Sequence, residues 1–399
     1  MRLGAPAFAL ACSATAVTTF LGVLAQRFTT SGLLVGALLG AQGALALVLP
    51  VVIGSWSDRV RTRLGGRLPF VLAGASIASG ALVAIGLAES AVLLAVATVA
   101  FFAGYFVFYE PYRALYPDHV PADMAGRAQA AQAVWRTSGS LCALLGGGLL
   151  YVLWRPLPFL VCAVLVGLAA LALLAWTRRL PAGARRSGDT DLRNPLRSLW
   201  SSARRERRLH AFLFANALWE FSLSALRAFG LLFLVAGLGL ATSSAALIIA
   251  AVFAAALPAA AVAGRLADRF GAAYVMRVGA TVYGLGLLIP FFTQSTPVLV
   301  AAAPIIVFGG ALTLALPYTA LIPLMPPGMR GGWTGLYSLS RGFGMLLGPL
   351  TAGIAIDLLR PALAGTDGYA VVWPIAAAAV LVSIPALRLV EGSEASATQ

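Results

Sequence analysis

Twelve apolar stretches of about 20 residues constrain this chain more than any other feature of its sequence. An α-helix rises about 1.5 Å per residue, so such a stretch crosses the ~30 Å hydrocarbon core of a bilayer. Lipid offers no partner for backbone N–H and C=O groups, and the stretches are too long for barrel strands, so each is predicted to be a helix. The predicted spans are 5–26, 32–54, 69–88, 91–112, 127–151, 158–176, 209–236, 243–263, 273–292, 297–320, 333–357 and 370–388.

Composition agrees with a membrane protein. Of the 399 residues, 60% are hydrophobic and 11% are charged, and the mean hydropathy is +0.90. One soluble core cannot bury that much apolar surface, so the lipid bilayer is the predicted partner. The fold class predicted is an all-α membrane protein with twelve transmembrane helices.

The basic residues predict the orientation. All 28 are arginines, and an N-terminus in the cytoplasm places 22 of them on that side and only Arg27, Arg155 and Arg360 outside, while the other three lie inside spans. This asymmetry follows the positive-inside rule, so we expect a multi-pass protein of the cell membrane with both termini cytoplasmic. The net charge of +14 then reports topology, and no nucleic-acid partner is predicted.

Chemistry-bearing motifs of other protein classes are not found in the sequence. There is no nucleophile motif, Walker loop or dinucleotide fingerprint, and the three cysteines lie inside predicted spans without metal-ligand spacing. We therefore predict no enzyme activity, no cofactor and no metal, and we expect a monomer.

Internal repeats predict a duplicated unit. Residues 111–117 read Pro-Tyr-Arg-Ala-Leu-Tyr-Pro and residues 317–323 read Pro-Tyr-Thr-Ala-Leu-Ile-Pro, while 54–59 and 264–269 share the pattern Gly-x-x-x-Asp-Arg. Arg136 in span five is likewise echoed by Arg341 in span eleven. The predicted organisation is a six-helix bundle over 1–176, a cytoplasmic linker over 177–208 and a second six-helix bundle with a short tail over 209–399, with a cavity between the bundles.

The Gly-x-x-x-Asp-Arg loops resemble the signature loop of the major facilitator superfamily. The resemblance to this superfamily extends over essentially the whole chain. Within it, the pattern from Gly54 to Phe70, together with Pro111 to Leu115, resembles the glycoside–pentoside–hexuronide cation symporters and the related sucrose transporters. The resemblance implies the two-bundle fold and cation-coupled uptake of a sugar or glycoside. Span one has no acidic residue and span four none before Glu110, whereas melibiose-type symporters resemble one another in deep carboxylates, so a proton is favoured over sodium.

A conformational latch is predicted at the repeated loops. Asp58 and Asp268 sit where a span ends, and such a carboxylate can accept from a neighbouring helix N-terminus and pair with an arginine such as Arg113 or Arg59. The alternative is a simple topogenic turn. The predicted latch residues are Gly54, Asp58, Arg59, Arg113, Gly264, Asp268 and Arg269.

Four charges fall deep inside spans: Arg136, Glu220, Arg227 and Arg341. An ionised group there is costly unless it faces a partner or a wet cavity. Glu220 lies ~15 Å into span seven, so we predict that it couples transport to protons, with Arg227 or Arg136 approaching it in one conformation. The alternative is a static bridge that only holds helices together.

Polar and aromatic residues near these charges form the predicted substrate site. Arginine forks suit hydroxyl pairs and aromatic faces suit a sugar ring, although they suit an amphipathic drug equally. The predicted substrate-binding residues are Arg136, Arg341, Trp135, Gln132, Tyr109, Asn216, Trp219 and Tyr337.

The sequence thus favours a secondary transporter that imports a sugar or glycoside with protons. Proton-antiport efflux of drugs or metabolites is the alternative within transport. A non-transporting receptor or scaffold on the same fold is the alternative from another class, which the four embedded charges disfavour.

Overall fold

The computed structural model describes residues 4–60, 62, 67–119, 125–177, 207–321, 324 and 330–397, and nearly all of these are helical. In chain order the helices are α1 (Gly4–Ala25), α2 (Gly32–Arg59), α3 (Leu68–Gly86), α4 (Ala91–His119), α5 (Ala125–Leu153), α6 (Leu157–Thr177), α7 (Arg207–Leu232), α8 (Thr242–Phe270), α9 (Ala272–Gly286), α10 (Ile289–Phe292), α11 (Thr296–Leu314), α12 (Pro317–Leu321), α13 (Arg330–Leu359), α14 (Val372–Val382) and α15 (Ile384–Ala397). A π-helical turn, Phe233–Gly237, extends α7.

Twelve segments of the described chain are long and apolar enough to cross a membrane, which confirms the predicted number of spans. Span nine comprises α9 and α10, span ten α11 and α12, and span twelve α14 and α15. Most ends agree within a few residues, but α8 continues to Phe270 although the apolar run was predicted to end at 263. Hydropathy marks where lipid ends, whereas backbone hydrogen bonds can extend a helix into water.

Two compact units make up the chain. Unit 1 contains Met1–Thr30, Ala44–Gly188 and Leu240–Ala250, and unit 2 contains Ser31–Gly43, Asp189–Gly239 and Ala251–Gln399. Helices α2 and α8 are therefore each shared between the units. The predicted division at the linker stays a prediction, and residues 178–206 of that linker lie outside the described residues.

Glycines at matching positions pack helices together in both units. A Cβ on Gly74 of α3 would overlap the backbone of α4 at Phe108, and a Cβ on Gly309 of α11 would overlap the backbone of α9 at Tyr283. Without a side chain, two helix backbones can approach closely. Four such glycines recur 205 positions later in the sequence, as Gly74 and Gly279, Gly104 and Gly309, Gly139 and Gly344, and Gly148 and Gly353. The duplicated packing agrees with the predicted duplicated unit.

Candidate functional site

Helices α7 and α13 of unit 2 approach each other at two glycines. A Cβ on Gly344 would overlap the carbonyl oxygen of Ala217, and one on Gly348 would overlap that of Phe221. The Ser224 hydroxyl donates to the Gly344 carbonyl oxygen at 3.1 Å, which ties the two helices together at this level. Side chains one turn away can therefore meet across the contact.

Glu220 of α7 and Arg341 of α13 form an ion pair beside this contact. Arg341 Nε donates to Glu220 Oε1 at 2.6 Å. Gly344, one turn after Arg341, faces the Cβ of Glu220 and leaves room for the pair. The Glu220 side chain is 13% exposed and that of Arg341 is 44% exposed. The carboxylate is thus covered, while part of the guanidinium remains at the surface of the unit.

A group of aromatic rings lies beside the arginine of this pair. The Tyr337 ring centroid lies 6.0 Å from Arg341 Cζ. Tyr318 meets Tyr337 edge-on at 5.9 Å between centroids, and Phe212 stacks on it at 6.5 Å. We call Glu220, Arg341, Tyr337 and Tyr318 the Glu220–Arg341 cluster. The partly exposed guanidinium of Arg341 can bind hydroxyl groups, and the exposed ring of Tyr318 can pack on a ring of a solute.

The partner of Glu220 differs from the predicted ones. Arg227 lies seven residues beyond Glu220 on the same helix and is exposed, and Arg136 belongs to unit 1, whereas Arg341 makes the contact. Seven residues correspond to ~10 Å along a helix axis, so an arginine on a neighbouring helix reaches the carboxylate more easily. The coupling role of Glu220 and Arg227 stays a prediction.

Asn216 and Trp219, two predicted substrate-binding residues, are each only 1% exposed. The Asn216 side-chain amide donates to the Ser340 hydroxyl of α13 at 2.7 Å. Trp219 Nε1 donates at 2.8 Å to the hydroxyl of Ser383, the residue between α14 and α15. In this conformation both side chains join α7 to neighbouring helices.

Four predicted substrate-binding residues lie in unit 1. Arg136 of α5 is exposed and Gln132, one turn before it, is buried. Trp135 packs on the start of α1, where its indole fills the space beside Gly4. On α4, the Tyr109 ring stacks on that of Tyr105 with centroids 5.3 Å apart.

The predicted latch residues are only partly described. Asp58 and Arg59 end α2, but their side chains lie outside the described residues, and Gly54 lies one turn earlier. Arg113 pairs with Glu110 of its own helix at 3.8 Å. Arg67, from the loop after α2, donates to the carbonyl oxygen of Ala114. The sequence pattern of residues 54–70 is therefore in contact with that of residues 111–115.

The second copy of the latch is exposed. Gly264 lies in the second-to-last turn of α8. Asp268 and Arg269 lie in its last turn, and their side chains are exposed. The guanidinium of Arg269 lies 5.2 Å from the Phe270 ring centroid. The latch stays a prediction for both copies.

Asp357 of α13 makes contacts that were not predicted from the sequence. Its carboxylate accepts from the backbone N–H of Gly32 at 2.7 Å, from that of Leu33 at 3.0 Å and from the Ser31 hydroxyl at 2.7 Å. It therefore caps the N-terminus of α2, where unpaired N–H groups and the helix dipole favour an anion. An acidic residue at the very end of an apolar run was the signal in the sequence.

Comparison with known proteins identifies the family. The sequence model described as Major Facilitator Superfamily matches residues 7–242 and again 213–398, nearly the whole chain. The chain belongs to the major facilitator superfamily. No curated protein matches this major facilitator sequence.

Solved transporters share the fold of this major facilitator protein. A bacterial homologue of the human lysosomal transporter Spinster, inward-facing and unoccupied, is 19% identical with a TM-score of 0.82, covering 98% of this chain and 95% of its own. The nucleoside transporter NupG is 17% identical with a TM-score of 0.79, covering 98% of both chains. A D-xylose–proton symporter is 16% identical with a TM-score of 0.71, covering 96% and 95%. At these identities the likeness shows the fold alone.

Proposed function

We propose that this major facilitator protein is a secondary active transporter that imports a sugar or glycoside together with protons, by alternating access across the cytoplasmic membrane. The Glu220–Arg341 cluster is the observation that carries the proposal. It combines a titratable carboxylate inside a predicted span, a paired and partly exposed cation, the half-buried ring of Tyr337 and the exposed ring of Tyr318. We place both termini in the cytoplasm because of the arginine distribution.

The proton step follows from the ion pair. While Glu220 is ionised, its carboxylate holds Arg341 Nε at 2.6 Å. Protonation removes the negative charge and weakens this charge-assisted hydrogen bond, so the guanidinium is released toward solute hydroxyls. Solute and proton then stabilise the same conformation, which is the requirement for coupled movement.

The solute site in this proposal draws on both copies of the duplicated unit. Arg136, Gln132, Trp135 and Tyr109 contribute from the first copy, and Arg341 and Tyr337 from the second. Asn216 and Trp219 hold α7 in position in the present conformation and reach solute only if α7 moves. The loop motifs that resemble sugar symporters favour a sugar or glycoside as the solute.

The proposed latch alternates with the contact at Asp357. Asp357 holds the start of α2 against α13 at one end of these helices. In the opposite conformation, contacts would be made by Gly54, Asp58 and Arg59 at the other end of α2, by Arg113 of α4, and by the second copies Gly264, Asp268 and Arg269 of α8.

Uptake by proteoliposomes tests the proposal. Labelled mono- and disaccharides are offered under an imposed pH gradient, with and without a protonophore, to the wild type and to Glu220→Gln. We expect gradient-driven accumulation of at least one sugar and its loss in Glu220→Gln. The matched control is Glu391→Gln in α15. It removes a carboxylate whose Oε2 lies 2.8 Å from Arg277 Nε, and it should leave accumulation intact.

Other outcomes separate the alternatives. Proton-driven extrusion of an amphipathic compound, without sugar flux, would favour efflux. Loss of accumulation in both glutamate variants would contradict a specific role for Glu220. No flux of any kind, with no cost from Glu220→Gln, would favour a receptor or scaffold.

A further inference from the structure

An open cavity of about 440 Å³ lies in unit 1 where α1 and α5 end and α8 begins. Arg27 and Arg155 both line it, together with Gln26, Tyr151 and Thr242. Arg27 follows the last turn of α1 and Arg155 follows the last turn of α5, so the loops after two helices converge here. The residues that line the cavity belong to unit 1, whereas the Glu220–Arg341 cluster belongs to unit 2, and the cavity plays no part in the proposed function.

Charge at this cavity is one-sided. Among the described residues, no carboxylate lies within ion-pairing distance of Arg27 or Arg155, whereas Arg360, the other arginine predicted outside, reaches Asp357 at 3.4 Å. Arginines are uncommon on the outer side of a membrane protein. Two of them in one cavity on that side therefore suggest a role in binding. Both side chains are exposed, and an anion bound between two such cations is attracted to each of them, which offsets their mutual repulsion.

A rigid hydroxyl completes the set of donors. Tyr151 is buried, and its ring stacks on Phe20 with centroids 5.8 Å apart and an interplanar angle of 17°. Tyr151 lines the same cavity as Arg27 and Arg155, so all three groups border one space. One arginine fork satisfies both oxygens of a carboxylate, but two forks and a hydroxyl match the larger number of oxygens on a phosphate.

We propose that this cavity binds a phosphate group. A volume of about 440 Å³ holds a phosphate with a further group attached, since ligand pockets span roughly 300–1,000 Å³. The neighbouring Val152, Leu153 and Trp154 are exposed, and an exposed tryptophan beside apolar residues is typical of a lipid–water interface. The phosphate therefore comes either from an anionic lipid headgroup or from a soluble phosphate compound.

Thermal unfolding of the full-length protein tests the site, with unfolding followed by tryptophan fluorescence. Inorganic phosphate is titrated in a low-chloride detergent solution, and phosphatidylcholine nanodiscs are compared with and without phosphatidylglycerol. A ligand that binds the native state raises the unfolding temperature. The variants are Arg27→Gln/Arg155→Gln and, to keep charge without the fork, Arg27→Lys/Arg155→Lys. The charge-matched control is Arg207→Gln/Arg388→Gln, which alters two exposed arginines of other helices.

We expect stabilisation of the wild type and the control, and a ligand affinity about a hundredfold weaker for Arg27→Gln/Arg155→Gln, with the lysine variant in between. Stabilisation by phosphatidylglycerol alone identifies a lipid headgroup as the source, and stabilisation by inorganic phosphate identifies a soluble compound. The proposal is overturned if neither ligand stabilises the wild type, or if the glutamine double variant responds as the wild type does.

Discussion

The helix pair α1–α5 and the helix pair α7–α13 are packed alike but carry different charges. Gly139 lies against the backbone of α1 at Phe8, and Gly344, 205 positions later, lies against the backbone of α7. One turn before each glycine stands an arginine, Arg136 or Arg341. Arg341 is paired with Glu220, whereas α1 contains no acidic residue. Packing has been kept in both copies, and the titratable group occurs in one.

The contact between α2 and α13 extends this contrast. Gly353 packs on the start of α2, and Gly148 packs on the start of α8 in the corresponding way. Beside Gly353, Asp357 caps α2, but the residue 205 positions earlier is the apolar and exposed Val152. The second copy again holds the ionisable group, so we expect charge-dependent behaviour to depend mainly on that copy.

The largest effects should come from the shared packing. Gly139→Ala and Gly344→Ala each introduce a Cβ that overlaps backbone atoms, so each should destabilise the protein by about 2–3 kcal/mol. Thermal unfolding in detergent measures this. Gly146→Ala, which meets nothing within 4 Å, is the control and should be tolerated. If only one of the two variants is unstable, the packing of the copies is not equivalent.

The next largest difference should separate the two arginines. Arg341→Gln leaves the covered carboxylate of Glu220 without its ion-pair partner, which should cost about 2 kcal/mol, less than a fully buried pair because Arg341 is partly exposed. Arg136→Gln should cost less than about 0.5 kcal/mol, since the side chain is exposed. The same unfolding measurement compares them. Equal losses would contradict the assignment of the charge function to the second copy.

A smaller difference is expected between Asp357→Ala and Val152→Ala. The first removes the cap of α2 and should destabilise the protein by about 1–2 kcal/mol, while the second should change stability by less than about 0.5 kcal/mol. Unfolding temperatures of the two variants provide the test. Asp357→Asn keeps an acceptor and should fall between Asp357→Ala and the wild type.

The smallest effect concerns Trp219. Trp219→Phe keeps most of the buried ring but loses the hydrogen bond to Ser383, so the expected cost is about 1 kcal/mol. If Trp219 only positions α7, the apparent KM for the transported solute should change less than twofold, whereas Tyr337→Ala should raise it. A larger rise in KM for Trp219→Phe would assign the indole to the solute site.

The sequence predicted the helices well and their neighbours poorly. Lipid requires long apolar helices, so the span count followed from hydropathy alone. Glu220 stood out because a charge in a span is rare, yet its partner Arg341 lies 121 positions away on a helix whose rotation the sequence does not specify. For the same reason the inward hydrogen bonds of Asn216 and Trp219 could not be read from their position on α7.

Asp357 was missed for a different reason. Its role as a cap depends on contact with the N-terminus of a helix more than 300 positions earlier. No local sequence pattern predicts that contact. The four glycine pairs were readable in principle, because a spacing of 205 positions is regular. Their contacts, however, could be assigned only once helix neighbours were known.

The sharing of α2 and α8 between the units has a consequence for biosynthesis. Chains emerge from the ribosome N-terminus first, and domains generally fold as they are completed. Unit 1 includes Leu240–Ala250, so it lacks part of its packing until synthesis has passed well beyond the sixth helix. Packing of the segment Ser31–Gly43 is delayed even longer, because its partner α13 is among the last helices to be synthesised. The apolar start of α2 is thus inserted early and covered late, so an interruption of synthesis in the second half of the chain leaves it without its native neighbour.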